Sequence, residues 1–153
     1  MLKKYKHIIG RLFTINNFNI QQAFKVLKER QWDTIYVFVD IHGTVLKPDY
    51  GKVAVEYYPG AKEVLQHLTN DFRIKLVLYT CSFPHEIQEY IDFFSKDNIV
   101  FDYVNKNPEV TSTRGGYFED KPYMNILLED KAGFVGEYDW FIVDCEFKKY
   151  GRK

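Results

Sequence analysis

The stretch Ile35-Tyr36-Val37-Phe38-Val39-Asp40-Ile41-His42-Gly43-Thr44 decides how this chain is read. Five β-branched and aromatic residues run without a polar interruption and stop on a carboxylate. Such a run is expected of a strand buried on both faces, as parallel strands are, whereas a half-exposed strand alternates. Gly43 then marks a short polar turn. In open α/β sheets chemistry collects just beyond the carboxyl ends of the strands, and Asp40 falls there. A carboxylate in that place serves as nucleophile, as metal ligand or as both; the plainer alternative is that Asp40 only caps the turn.

Upstream, Asn19 and Gln22 have the spacing of a helix capping box, Phe18 and Ala23 that of a hydrophobic staple, and Ile20, Phe24 and Leu27 recur at helical spacing. Together they predict a helix over 20–30 leading into the first strand. Downstream, 45–58 carries Pro48, Asp49 and Gly51 at its middle and reads as a hairpin or flap. Pro59 opens a helix with Ala61, Val64, Leu65 and Leu68 on one face. A second strand over 73–79 ends on Thr80-Cys81-Ser82. The helix after it places Ile87, Ile91 and Phe94 on its inner stripe, with Glu86 and Glu89 toward its front end. A short strand is expected over 100–104, a loop rich in Asn, Pro, Thr and Gly over 105–116, and a buried strand over 124–128 ending on Glu129-Asp130. The tail over 138–147 fits helix better than strand, with acids early and Lys148 and Lys149 late.

Strands alternating with amphipathic helices imply βαβ units and a mostly parallel sheet. Right-handed crossovers bring all the strand ends to one edge, so Asp40, Thr80 and Glu129-Asp130 are expected to meet. At 153 residues the chain suits a single domain, with a helical N-terminal extension over 1–33 and a core over 34–153. A hydrophobic fraction of 46% and an aromatic fraction of 18% indicate a packed globule rather than disorder. Lys plus Arg and Asp plus Glu both number 21, so no net field favours nucleic acid. Lys3, Lys4, Lys6 and Arg11 form a basic cluster read as a solvated terminus, and Lys3, Lys4, Lys6 and His7 interrupt any secretory signal pattern. No apolar run reaches bilayer length. Two cysteines, Cys81 and Cys145, make no disulfide framework and suit a reducing cytoplasm.

Three carboxylates converging at one sheet edge repel one another unless a cation or proton neutralises them. An all-oxygen donor set suits a hard cation, and Mg²⁺ in particular keeps waters and substrate phosphate among its ligands. The Thr80 hydroxyl, with the backbone N–H groups of Cys81 and Ser82 beside a helix N-terminus, can hold phosphate oxygens. Lys121, just before the strand bearing Glu129-Asp130, can neutralise Asp40 and an arriving phosphate. Nucleophile, metal, hydroxyl and cation are what phosphoryl transfer needs.

These residues are also where the chain resembles the haloacid dehalogenase superfamily of phosphatases and phosphotransferases. The superfamily's Asp-x-Asp-x-Thr motif has its counterpart in Asp40-Ile41-His42-Gly43-Thr44, its strand-ending Thr or Ser in Thr80, its Lys in Lys121, and its acidic pair in Glu129-Asp130-Lys131-Ala132-Gly133. The resemblance implies a three-layer Rossmann-like fold with a mostly parallel sheet, a flap after the first strand and a minimal cap. It implies a Mg²⁺-dependent phosphomonoester hydrolase in which Asp40 attacks phosphorus and carries an aspartyl-phosphate. The metal would be held by Asp40, the backbone carbonyl of His42 and Asp130, with or without its neighbour Glu129. Thr44, Thr80, Cys81, Ser82 and Lys121 would bind the phosphorylated substrate, which remains open among nucleotides, nucleic-acid ends, sugar phosphates and phosphoproteins.

His42 departs from the pattern, because the superfamily's phosphatases usually carry an acid–base Asp there. A His can do the same work, and nearby carboxylates are expected to keep it protonated to higher pH while a metal opposes them. The alternative is a catalytically weak or inactive binding or assembly module. Among other candidates, Lys106 and Lys131 compete with Lys121, and Arg114 at a loop tip can reach a phosphate. Tyr50, Tyr57 and Tyr58 either stack on substrate or pack the flap. His67 and His85 are read as surface or helix-end residues, His7 in the terminal segment is assigned no role, and Cys81 is read as a thiol without an activating base. Trp140, Phe141 and Phe147 offer apolar surface for a dimer.

Overall fold

The computed structural model describes residues 15–151, with side chains from 19 onward. The basic cluster at Lys3, Lys4, Lys6 and Arg11, and His7 with it, lies outside the described residues. Helix α1 (Ile15–Arg30) leads into β1 (Ile35–Val39); α2 (Ala61–Thr69), β2 (Ile74–Leu78), α3 (Pro84–Lys96) and β3 (Tyr103–Val104) follow. The chain then reaches β4 (Ile126–Leu128), a 3₁₀ turn (Asp130–Ala132) and α4 (Gly136–Gly151). The four strands are all parallel in the order β3-β2-β1-β4. This is a mixed α/β fold of Rossmann-like character.

Every residue of β1 is buried, which is what its unbroken apolar run requires. Ile35, Val37 and Val39 share one core with Ile74, Leu76 and Leu78 of β2. That core also takes in Ile20 and Phe24 of α1, Leu65 and Leu68 of α2, Tyr90 and Phe94 of α3, and Trp140 and Val143 of α4. All four helices therefore contribute to one face of the sheet. Tyr36, Phe38 and Val77 point to the other face, where Val110, Tyr123 and Met124 pack on them.

The third layer expected from the resemblance is thus not helical among the described residues. It is the segment 105–125, which must return from the β3 edge to the β4 edge. Asn, Pro108 and the Gly115-Gly116 pair give that segment turns instead of a helix. Glu109 pins it down, accepting from Tyr36 Oη at 2.8 Å and Tyr103 Oη at 2.5 Å. Asn125 Oδ1 accepts from Tyr36 N at 2.8 Å and fixes its far end.

Several local expectations need correction. Helix α1 begins at Ile15, so Asn19 already has helical neighbours and no unpaired N–H groups wait there for a capping box. Strand β3 is only Tyr103–Val104, because it is an edge strand whose ladder spans two rungs. In α3 the fully buried residues are Tyr90 and Phe94, while Ile87 and Ile91 are half-buried. In α4, Trp140 and Phe147 belong to the core and Phe141 alone of the three is exposed. Two of the three aromatic side chains read as dimer surface are therefore spent inside the fold, and Phe141 stays exposed. Among the described residues no helix is long and apolar enough to cross a membrane.

Candidate active site

The strand register sets the site. Val39 lies opposite both Leu78 and Leu128, so Asp40 and Glu129 are each the first residue beyond the ladder. Asp40 N donates to Leu128 O at 3.0 Å, and Tyr79 N donates to Val39 O at 2.8 Å. One oxygen from each of Asp40, Glu129 and Asp130 falls within 4.8 Å of the other two. Three carboxylates separated by up to 90 positions in sequence thus converge as the topology requires.

The turn after β1 is tightly constrained. Gly43 has φ +80, and a Cβ there would stand 2.8 Å from Asp130 Oδ2. Only glycine lets the backbone come so close to that carboxylate. Thr44 is buried; its hydroxyl donates to Asp40 Oδ2 at 3.2 Å, and its carbonyl accepts from Trp140 Nε1 at 2.8 Å. Thr44 is therefore an orienting group for Asp40, held from behind by the core of α4. Burial pushes the Asp40 carboxyl above its ordinary value, against the Ile41 N–H and the Thr44 hydroxyl, with the Asp130 charge adding to the rise.

Glu129 and Asp130 share a hydrogen bond and move in opposite directions. Burial raises Glu129, and its bond to Asp130 and the Asp40 charge raise it further. Burial also acts upward on Asp130, but the Glu129 bond and the Lys131 charge carry it below its ordinary value. Opposite shifts of this kind are what the mutual repulsion of closely set carboxyls produces. An all-oxygen set of that size and charge fits a hard divalent ion such as Mg²⁺.

The cation set beside the cluster is Lys131, whose Nζ lies 3.6 Å from Asp130 Oδ1. Lys131 also lowers the Asp40 carboxyl through its charge. Lys121 is exposed, and no ion pair or hydrogen bond joins it to Asp40, Glu129 or Asp130. Lys131 is exposed too, and on the 3₁₀ turn its backbone N–H donates to both Glu129 Oε1 and Asp130 Oδ1. Lys106 is exposed as well.

His42 is half-buried and edge-on to Tyr90, with Nε2 2.7 Å from Tyr90 Oη. Tyr90 Oη also accepts from Ala54 N at 3.2 Å, so one hydroxyl ties both His42 and the flap backbone. Contrary to expectation, His42 is held below its ordinary value: burial outweighs the raising effects of Glu86 and Asp130. Tyr90 links the turn after β1 to the flap, a connection that sequence reading missed because Tyr90 stands 48 positions away from His42.

The flap over 45–58 closes at its base through Lys47 N to Glu56 O and Tyr58 N to Val45 O. Tyr57 stacks on Phe93 and donates to Asp97, and Tyr58 packs so close to Gly136 that a Cβ there would clash. Only Tyr50 of the three flap tyrosines is fully exposed. At the second tip, Thr80 Oγ1 lies 3.0 Å from Ser82 Oγ and accepts from Ser82 N at 3.2 Å. Cys81 between them is an exposed free thiol. Phe83 N donates to Glu86 Oε2 at 3.0 Å as α3 begins. Arg114 caps a tight turn in which Thr113 and Gly116 exchange backbone bonds, and His67 and His85 are exposed.

No family model matches the chain, and no curated protein matches it. Among solved structures the chain is similar to one described as the conserved protein coded by a locus from Bacteroides thetaiotaomicron. The two share 22% identity and a TM-score of 0.60, over 78% of this chain and 93% of the other. That likeness extends the α/β fold to a second sequence.

Proposed function

We propose that this protein is a divalent-metal-dependent phosphomonoester hydrolase of haloacid dehalogenase type, working through an aspartyl-phosphate on Asp40. The observation that carries the reading is the convergence of Asp40, Glu129 and Asp130 to within 4.8 Å at the carboxyl edge of a parallel sheet. Asp40, Asp130, Glu129 and the His42 backbone carbonyl would hold Mg²⁺. When bound, the ion supplies Lewis-acid polarisation of the phosphoryl group and cancels the repulsion between the nucleophile and its substrate.

Asp40, oriented by Thr44 Oγ1, is placed to attack phosphorus. The Thr80 and Ser82 hydroxyls would receive phosphoryl oxygens, with the Cys81 N–H between them. Lys131, rather than Lys121, is the cation that the geometry favours for balancing charge at the acidic cluster. The phosphoryl group passes from the ester oxygen to Asp40 and then to water.

One observation favours a second reading, a binding module that keeps the cation and not the turnover. His42 Nε2 is engaged by Tyr90, which leaves only Nδ1 for proton transfer. A chromogenic aryl phosphate, offered with and without Mg²⁺ to the native protein and to Asp40→Asn, separates the two. Metal-dependent turnover lost in the variant supports the hydrolase. Absence of turnover across a broad panel of phosphate esters supports the module.

A further inference from the structure

The second strand tip is held by a side chain acting as backbone. The β2–β3 ladder ends with Leu78 opposite Val104, and Asn105 N then donates to Leu78 O at 2.8 Å. Asn105 has φ 54, in the left-handed region that Asn enters more readily than other residues with a Cβ. From there its carboxamide faces Thr80 edge-on. Thr80 N donates to Asn105 Oδ1 at 2.7 Å, and Asn105 Nδ2 donates to Thr80 O at 2.7 Å.

The amide thus offers one donor and one acceptor where the next rung of a strand would offer a peptide group. Both main-chain polar groups of Thr80 are satisfied by Asn105 beyond the end of the regular sheet. The Thr80 hydroxyl has no backbone duty toward the sheet and turns instead to Ser82. None of the bonds Asn105 makes among the described residues goes to Asp40, Glu129 or Asp130.

We propose that Asn105 is a positioning residue for phosphate binding, fixing the Thr80–Ser82 turn so that its two hydroxyls and the Cys81 N–H meet phosphoryl oxygens. This rests on the phosphatase reading given above. It divides the site into a half that holds the ion and a half that holds the phosphate, the second set by one carboxamide. Loss of that carboxamide should then weaken phosphate binding and leave cation binding intact.

Two variants test the point. Asn105→Gly keeps the left-handed backbone and removes the amide. Asn105→Asp keeps an acceptor for Thr80 N but turns a carboxylate oxygen toward Thr80 O. For the native protein and both variants, kcat and KM for an aryl phosphate, competitive inhibition by inorganic phosphate and calorimetric Mn²⁺ binding are measured. The inhibition constant should rise about tenfold, as expected for two lost hydrogen bonds, and kcat/KM should fall on the order of 10²-fold from misplacement of the phosphate. Mn²⁺ affinity should be unchanged. Native-like kcat/KM and phosphate inhibition in a folded Asn105→Gly protein would overturn the inference, as would Mn²⁺ binding lost in step with phosphate. If the native protein neither turns over the ester nor binds inorganic phosphate, the phosphatase reading itself falls. That outcome differs from active protein with equally active variants.

Discussion

After β1 the chain turns over a buried floor: Ile41, Thr44 and Val45 are inaccessible, and Trp140 reaches from α4 to grip Thr44. After β2 the chain runs through Thr80, Cys81, Ser82 and Phe83 at half-buried or exposed positions, gripped mainly by Asn105. The contrast has a physical logic. A nucleophile and the carboxylates around an ion must hold their geometry against mutual repulsion, and only a packed core supplies that rigidity. A turn that receives phosphate oxygens needs donors in place but not burial, so one side chain suffices to set it. On the proposed function, the first tip should be costly to alter in stability and the second in ligand affinity.

The largest effect should come from the nucleophile. Asp40→Asn keeps the shape of the first tip but removes the attacking charge, and turnover should fall by on the order of 10³-fold or more in a steady-state phosphate ester assay. A variant that keeps native turnover would remove Asp40 from the reaction. Next comes the ion. Mg²⁺ at a hundred times its dissociation constant should stabilise the fold by about 2.7 kcal/mol. Thermal unfolding with and without the ion should show that gain in the native protein and its loss in Asp130→Asn. An equal gain in both would place the ion elsewhere.

Gly43→Ala tests whether the core really dictates the first tip. The new Cβ would meet Asp130 Oδ2 at 2.8 Å with the backbone at φ +80. Denaturant unfolding should show a loss of about 1–3 kcal/mol, the usual cost of such strain. No loss would mean the turn relaxes freely and is not held from behind.

The smallest effect belongs to a control at the opposite end of β2. Arg73 Nη2 lies 2.7 Å from Asp71 Oδ2, and Arg73 Nη1 donates to Tyr150 O at 2.9 Å. The Arg73 bond holds the Asp71 carboxyl below its ordinary value of 3.8. A depressed carboxylate contributes stability above its unfolded pKa, and that contribution is lost as pH falls through the folded value. The native protein should exceed Asp71→Asn by about 1 kcal/mol at neutral pH. The gap should close as pH falls below about 4, where carboxylates ordinarily titrate. Ester turnover should be the same in both, so a rate change would show that stability and chemistry are not separable across the sheet.

Much of the first tip was legible in the sequence because local pattern and chemistry coincide there. An apolar run that stops on Asp40, a glycine three residues on and a later Leu128-Glu129-Asp130 each announce a strand end, and the topology then brings them together. The second tip was legible only as Thr80. Asn105 stands 25 positions away and acts through a positive φ that no composition pattern reveals. Lys121 was favoured over Lys131 on its place before β4, whereas Lys131, on the 3₁₀ turn at Asp130–Ala132, is the lysine whose Nζ lies 3.6 Å from Asp130 Oδ1. A three-layer fold was expected from the family resemblance, and the segment containing the loop read over 105–116 is what covers the second face of the sheet. His42 was read by its carboxylate neighbours and a metal opposing them, whereas burial is the larger influence and holds it below its ordinary value.

The most direct test of the central claim is chemical trapping of the nucleophile. The protein is mixed with acetyl phosphate or an aryl phosphate in the presence of Mg²⁺, quenched in acid within the first turnovers, and mapped by peptide mass spectrometry. One phosphoryl group on the peptide containing Asp40, absent without Mg²⁺ and absent in Asp40→Asn, is the predicted result. Ester turnover proceeding with the phosphoryl group on another residue, or with none on the protein at any quench time, would contradict the account.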